Sequence, residues 1–103
     1  MSGSNYREFL TEDRRLFVLR LLEECGGEAN ESVIHDACHA AGHRRGVTRD
    51  VIREDLDWLR ERDLVRWEWY EGKVLVAALT RRGVDVAHGD VEVEGVKKPS
   101  IGR

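Results

Sequence analysis

The sequence predicts a mainly α-helical domain with one β-hairpin, and three observations lead to this fold class. Three stretches carry apolar residues at helical spacing, each bounded by a helix cap or by glycine. Residues 65–70 alternate between apolar and polar side chains, which is the period of a β-strand. A short turn at residues 71–73 then leads into a second apolar run, so the two runs are expected to form a hairpin.

The first predicted helix covers residues 6–24, and Thr11, which two acids follow, has the character of a helix start inside it. Its second half is apolar nearly all round and is interrupted by Arg20. A helix that is buried on one side shows a narrower apolar stripe. We therefore expect this helix to bury a second face in a homodimer, with an interface formed by Leu16, Phe17, Leu19 and Leu22.

The second and third predicted helices each begin at a good N-terminal cap. Asn30 is expected to cap a helix over residues 30–41, and Thr48 is expected to cap a helix over residues 48–62. The residues between the two helices form a turn that is rich in glycine and arginine. The core side of the third helix is defined by the i, i+4, i+7 spacing of Ile52, Leu56 and Leu59.

The hairpin and a last helix complete the predicted order of elements. Residues 65–70 and 74–79 are the two strands, and Thr80 caps a short helix that extends to about residue 88. Three helices, a two-stranded hairpin and a short C-terminal helix give the winged helix-turn-helix arrangement. In that arrangement the third helix is the candidate DNA-recognition helix, and residues 71–73 are the tip of the wing.

Size and composition limit the classes of function. A chain of 103 residues fits one domain, expected at residues 1–90, followed by an extended tail at residues 91–103. Its 41% apolar and 36% charged residues are typical of a folded domain with a heavily charged surface. The net charge of -3 excludes a general basic field, so any DNA binding must come from a local patch.

The same composition indicates a cytoplasmic location. Cys25 and Cys38 have no closely spaced partner, which favours two free thiols over a disulfide framework. No apolar run approaches the ~20 residues that span a bilayer. The N-terminus also lacks the basic and apolar regions of a signal peptide. We therefore expect no contact with a membrane.

Three segments resemble small proteins of Mu-like bacteriophages and prophages, which are often labelled ArsR-type transcriptional regulators. These segments are residues 10–16 (LTEDRRL), 79–87 (LTRRGVDVA) and 95–99 (GVKKP). The resemblance extends over nearly the whole chain and implies a winged-helix fold and a phage or prophage origin. ArsR metal sensors carry two closely spaced cysteines on the recognition helix. Residues 48–62 contain none, so no metal is expected there.

The third helix divides its charges between two strips of its surface. At about 100° per residue, Arg49, Arg53 and Arg60 share one flank, while an acidic row faces away from the core. DNA phosphates would repel such a row. Three interpretations stay open: a solvated face, DNA contact through the arginine flank, or a protein-docking face formed by Val51 and Trp58. The acidic row consists of Asp50, Glu54, Asp57 and Glu61.

A basic turn precedes this helix, at the point where base and phosphate contacts usually begin. Arg44 and Arg45 lie in the turn, and Lys73 lies at the predicted wing tip. An ordinary solvated loop is the alternative interpretation of the turn. If the chain binds DNA, the expected contact residues are Arg44, Arg45, Arg49, Arg53, Arg60 and Lys73.

Two further clusters have both a functional and a structural interpretation. The spacings of His35, Cys38, His39 and His43 allow a shared metal, but we favour histidines that lie at the surface or pack on the second helix. Trp67 and Trp69 lie on one face of the first strand, where they either cover the core or stack on a partner.

No nucleophile–base pair, phosphate-binding glycine loop or paired-acid pocket is recognisable, so we expect neither an enzyme nor a cofactor. The sequence predicts a homodimeric, double-stranded-DNA-binding regulator from a phage or prophage. The alternative is a winged-helix protein-interaction module with a phage or host protein as its partner. The acidic row, the negative net charge and the alternating residues 91–94 favour this alternative, because such a tail can add a strand to a partner sheet.

Overall fold

The computed structural model of the chain describes residues 4–100, and their side chains from residue 6 onward. Within this part, the chain forms four helices and a three-stranded antiparallel sheet. No helix in it is long and apolar enough to cross a membrane. The elements in chain order are α1 Ser4–Glu24, β1 Glu28–Asn30, α2 Glu31–Ala40, α3 Arg49–Glu61, β2 Val65–Tyr70, β3 Val74–Leu79 and α4 Arg81–Ala87.

Three predicted helix caps are confirmed in position and in hydrogen bonding. The Asn30 side chain accepts a hydrogen bond from the backbone N–H of Val33 at 2.9 Å. Thr48 and Thr80 accept in the same way at the starts of α3 and α4. Each cap satisfies one of the backbone donors that a helix start leaves without an internal partner.

The helix start predicted at Thr11 is wrong, because α1 is continuous through this position. The hydroxyl of Thr11 donates a hydrogen bond at 3.1 Å to the backbone carbonyl of Arg7, one turn earlier. Because α1 begins at Ser4, the backbone N–H groups after Thr11 have partners one turn earlier in the helix and need no cap.

The predicted hairpin is confirmed, but the sheet has a third strand that was not predicted. β2 and β3 pair from Val65↔Leu79 to Tyr70↔Val74, and β1 pairs with the other edge of β3. The strand order is therefore β1-β3-β2. With three residues and no apolar alternation, β1 carries no sequence signal of its own.

Most of the apolar side chains in the second half of α1 are buried within their own chain. Leu16, Leu19 and Leu22, three of the four residues predicted for a dimer interface, are at most 4% exposed in the core. α1 packs against α4, α2 and β3. Its wide apolar circumference thus has an explanation within one chain. Phe17 is partly buried against the same core, and the homodimer stays a prediction.

A buried ion pair joins α1 to α3. Arg14 donates to both carboxylate oxygens of Asp55, at 2.5 Å from Nε and 3.1 Å from Nη2. Burial lowers the pKa of Arg14, but the hydrogen bond and charge of Asp55 outweigh it and raise the pKa overall.

Nearby, burial raises the pKa of the Cys38 thiol to about 12, with a further increase from Asp55. Cys38 is therefore a neutral core residue at physiological pH.

The tail after α4 lies against the body of the protein and forms no strand up to residue 100. Arg15 donates a hydrogen bond to the carbonyl of Gly95 at 2.9 Å. The backbone N–H of Lys97 donates to the carbonyl of Glu12 at 3.2 Å. A side chain at position 95 would overlap the indole of Trp58, so this close approach requires glycine.

Candidate functional site

Helix α3 has the two-strip charge pattern that its sequence predicts. Ile52, Leu56 and Leu59 are fully buried beneath it. The opposite side is exposed to solvent at each position of the acidic row, which consists of Asp50, Glu54, Asp57 and Glu61. Two acids of the row lie near an arginine: Asp57 is 4.0 Å from Arg60, and Glu61 is 3.6 Å from Arg62, the residue that follows the helix. The outermost surface of α3 is therefore strongly negative.

The arginines at the start of the flank are held by a carboxylate of α2. Arg53 donates to both oxygens of Glu31, through Nε and through Nη2, the latter at 3.1 Å. The hydrogen bond with Glu31 raises the pKa of Arg53. Arg49 donates to the hydroxyl of Ser32 at 2.8 Å and lies 3.7 Å from Glu31. Glu31 itself is only 6% exposed.

The same flank contacts the aromatic side chains of β2. The guanidinium of Arg60 lies 4.2 Å from the ring centroid of Trp67, and that of Arg53 lies 5.1 Å from Trp69. Such stacking is favourable by about 0.5–1 kcal/mol at exposed sites. Trp67 packs against the core, whereas Trp69 remains 42% exposed. These contacts fix the hairpin against the recognition-helix candidate.

The basic turn offers two arginines that are free of such contacts. Arg44 and Arg45 are exposed, and no carboxylate of the described part of the chain lies within ion-pair distance of them. The turn is anchored from below by Val47, which is 6% exposed. His39 donates a 2.7 Å hydrogen bond from Nε2 to the carbonyl of Val47. Arg44 and Arg45 are therefore exposed on an anchored turn next to the start of α3.

The six predicted DNA contacts do not form one cluster. Arg44, Arg45 and Arg49 lie together at the start of α3, whereas Arg60 is about 16 Å further along the helix axis at 1.5 Å per residue. Lys73 is exposed at the hairpin tip, after a tight turn closed by its 2.9 Å hydrogen bond to the carbonyl of Tyr70.

Two of the histidines on or after α2 lie next to carboxylates, and two lie next to each other. His35 lies 3.0 Å from Asp36, and His43 lies 3.5 Å from Asp13 on α1. The rings of His35 and His39 stack with centroids 4.2 Å apart. Within residues 4–100 no three potential ligands converge on a metal position.

Trp58, one of the two residues suggested for a protein-docking face on α3, is covered by its own chain. Guanidinium groups of Arg15 and Arg62 lie on its ring, at 3.8 and 3.7 Å from the centroid. Gly95 of the tail closes a further side. Trp58 therefore has little surface left for another molecule.

Sequence reasoning missed Glu31 and Asp55 as partners of arginine. Glu31 follows a helix cap, where acids are common, and its partner Arg53 lies 22 residues away. Asp55 lies outside the acidic row, and helical periodicity places it beside the core stripe with Leu56 and Leu59. That position is the signal by which a buried ion pair could have been found.

Comparisons with known proteins give two relatives and no matching family model. The chain is 51% identical over 92 residues to the uncharacterized protein gp26 of Escherichia phage Mu, covering 89% of this chain and 93% of that protein. It is 41% identical over 78 residues to an uncharacterized protein of Haemophilus influenzae, covering 76% of this chain and 74% of that protein. The first relative supports the predicted phage or prophage origin. Neither name contains a winged-helix or ArsR designation.

Proposed function

The chain belongs to the family of gp26 of Escherichia phage Mu, and from this premise we propose that it is a winged-helix protein that binds double-stranded DNA and regulates transcription. The helix order, with the β2–β3 hairpin directly after α3, supports the winged-helix assignment. The role proposed is binding and not catalysis.

The exposed basic turn is the observation that carries the DNA proposal. Arg44 and Arg45 project from an anchored turn without a neighbouring carboxylate in the described residues, so their charge is available to phosphate. Phosphate contacts supply most of the sequence-independent affinity of DNA-binding proteins. The backbone N–H groups at the start of α3 add affinity for anions there. We propose backbone contact at this end of α3, because the acidic row disfavours insertion of its outer face into a groove.

Replacing Arg44 and Arg45 together by alanine is expected to weaken binding to a short random-sequence duplex. The slope of log affinity against log salt is negative, and each lost phosphate contact reduces its magnitude by about 0.9. Fluorescence anisotropy between about 50 and 200 mM salt measures this slope. The matched control replaces Arg20 and Arg66, which are also exposed but lie on α1 and on β2. A wild type that fails to bind the duplex at the lowest salt contradicts the proposal.

We also propose a homodimer, now through the N-terminal half of α1. Tyr6, Phe9 and Leu10 are 69%, 49% and 38% exposed and share one helix face at i, i+3, i+4 spacing. Exposed apolar side chains grouped in this way mark interaction surfaces.

Sedimentation velocity is expected to show a concentration-dependent dimer of the wild type. Replacing Tyr6 and Phe9 together by serine removes most of the exposed apolar stripe and is expected to shift the equilibrium to monomer. A serine at Val33, which is 44% exposed on α2, serves as the control for lost surface hydrophobicity. A wild type that remains monomeric at tens of micromolar excludes this dimer.

A protein-interaction module is the second candidate function, and the exposed acidic row of α3 favours it. Asp50 and Glu54 have no ion pair with a described residue, so their charge is available to a basic partner. The module is supported over DNA binding if the wild type ignores duplex at low salt but captures one defined phage or host protein. That capture must be lost when Asp50 and Glu54 are changed to lysine.

A further inference from the structure

Glu31 is an acid buried at the point where the arginine flank of α3 meets α2. It is the first residue of α2, and its side chain is 7% exposed. Two guanidinium groups approach it: Arg53 through two hydrogen bonds and Arg49 at 3.7 Å. One carboxylate thus serves two of the six residues assigned to DNA.

The contact between Arg53 and Glu31 has the geometry that an arginine uses for phosphate. Two N–H groups of one guanidinium edge point at two oxygens of one anion, which is the bidentate arrangement common to carboxylate and phosphate. A DNA phosphate that approached this edge of Arg53 would have to displace Glu31.

The exposure of the arginines separates this contact from a purely structural one. The side chains of Arg53 and Arg49 are 44% and 52% exposed, so both guanidinium groups can reach solvent if released. Arg14, in the buried pair with Asp55, is 11% exposed and has no such freedom. Glu31 therefore holds two cations that lie at the surface, beside the basic turn.

We propose that Glu31 is an internal competitor of phosphate that withholds Arg49 and Arg53 from DNA. This inference rests on the proposed DNA-binding function and deepens it. In the wild type, Arg44 and Arg45 then provide the phosphate contacts, and Glu31 limits the sequence-independent affinity of the protein. Glu31 is thus a positioning residue of the DNA interface that does not itself touch DNA.

The test compares Glu31→Gln with Glu54→Gln, which removes the same charge from the exposed outer face of α3. Glutamine at position 31 keeps an oxygen for Arg53 but removes the competing charge. The salt slope of duplex binding is expected to steepen by about 0.9 for each arginine released, and to change less in the control. Arg53→Ala provides the second readout. In the wild type, Arg53→Ala is expected to reduce the magnitude of the salt slope no more than Arg66→Ala does. In the Glu31→Gln background, Arg53→Ala is expected to reduce this magnitude more than it does in the wild type.

The outcomes separate this inference from the function on which it rests. If the wild type binds duplex and Glu31→Gln has the slope of Glu54→Gln, DNA binding stands and competition by Glu31 is wrong. If only Glu31→Gln binds duplex, competition by Glu31 stands and DNA binding by the wild type is wrong. Circular dichroism and thermal unfolding establish that each variant is folded. If Glu31→Gln does not fold, a wild-type slope reduced more by Arg53→Ala than by Arg66→Ala overturns the inference.

Discussion

The substitution Asp55→Asn is expected to lower the free energy of unfolding by about 3–5 kcal/mol, because it leaves the Arg14 cation buried without its counter-charge. Arg14 donates two hydrogen bonds to Asp55, and both side chains are nearly excluded from solvent, with exposed fractions of 11% and 4%. Small domains have about 5–15 kcal/mol of total stability. The variant should therefore be close to unfolded at physiological temperature.

Urea denaturation followed by circular dichroism measures this loss. Asp57→Asn removes an exposed acid from the same helix, 4.0 Å from Arg60, and should cost less than about 1 kcal/mol. A double variant with Arg14→Met and Asp55→Leu replaces both charges by apolar groups and is expected to be more stable than Asp55→Asn alone. Equal stability of the Asp55→Asn and Asp57→Asn variants would show that the buried pair is dispensable.

The substitution Leu19→Ala is expected to lower the free energy of unfolding by about 2–5 kcal/mol, as for other large-to-small changes in a core. Leu19 lies on α1 and is fully buried, and α1 packs against α4, α2 and β3. A loss of 1 kcal/mol shifts the melting temperature of a domain of this size by roughly 4–8 °C, so the shift is large.

The dependence of this shift on protein concentration distinguishes a core residue from an interface residue. If Leu19 belongs to the core, the difference in melting temperature between variant and wild type stays constant across a wide range of concentrations. If Leu19 stabilises a dimer, as the sequence suggested, the variant loses the wild type's rise in melting temperature with concentration. Leu56→Ala is the control, because Leu56 is also fully buried and was not assigned to a dimer interface.

Local signals determined how much of the fold was predictable. Asn30, Thr48 and Thr80 each mark a helix start through a hydrogen bond to a residue three positions later, so a short window of sequence contains the whole interaction. β1 was missed because its identity depends on its pairing with β3, from Glu28↔Ala78 to Asn30↔Val76, and not on its own composition.

The candidate site shows the same division between local and distant causes. The acidic row of α3 follows from helical periodicity, so the sequence placed it correctly. The occupation of Arg53 by Glu31 depends on how α2 packs on α3, and that of Trp58 by Gly95 depends on the path of the tail. Likewise, the second apolar face of α1 was assigned to a partner chain because sequence cannot show that one chain surrounds its own helix.

The contacts between the tail and α1 join segments that lie far apart in the sequence. The hydrogen bond between Arg15 and Gly95 links residues that are 80 positions apart. Loop-closure entropy makes contacts of such long sequence separation late events in folding. During synthesis, α1 leaves the ribosome before the tail and stays without this contact until residues 95–97 have emerged. The packing around α1 is thereby completed only after the tail has been synthesised.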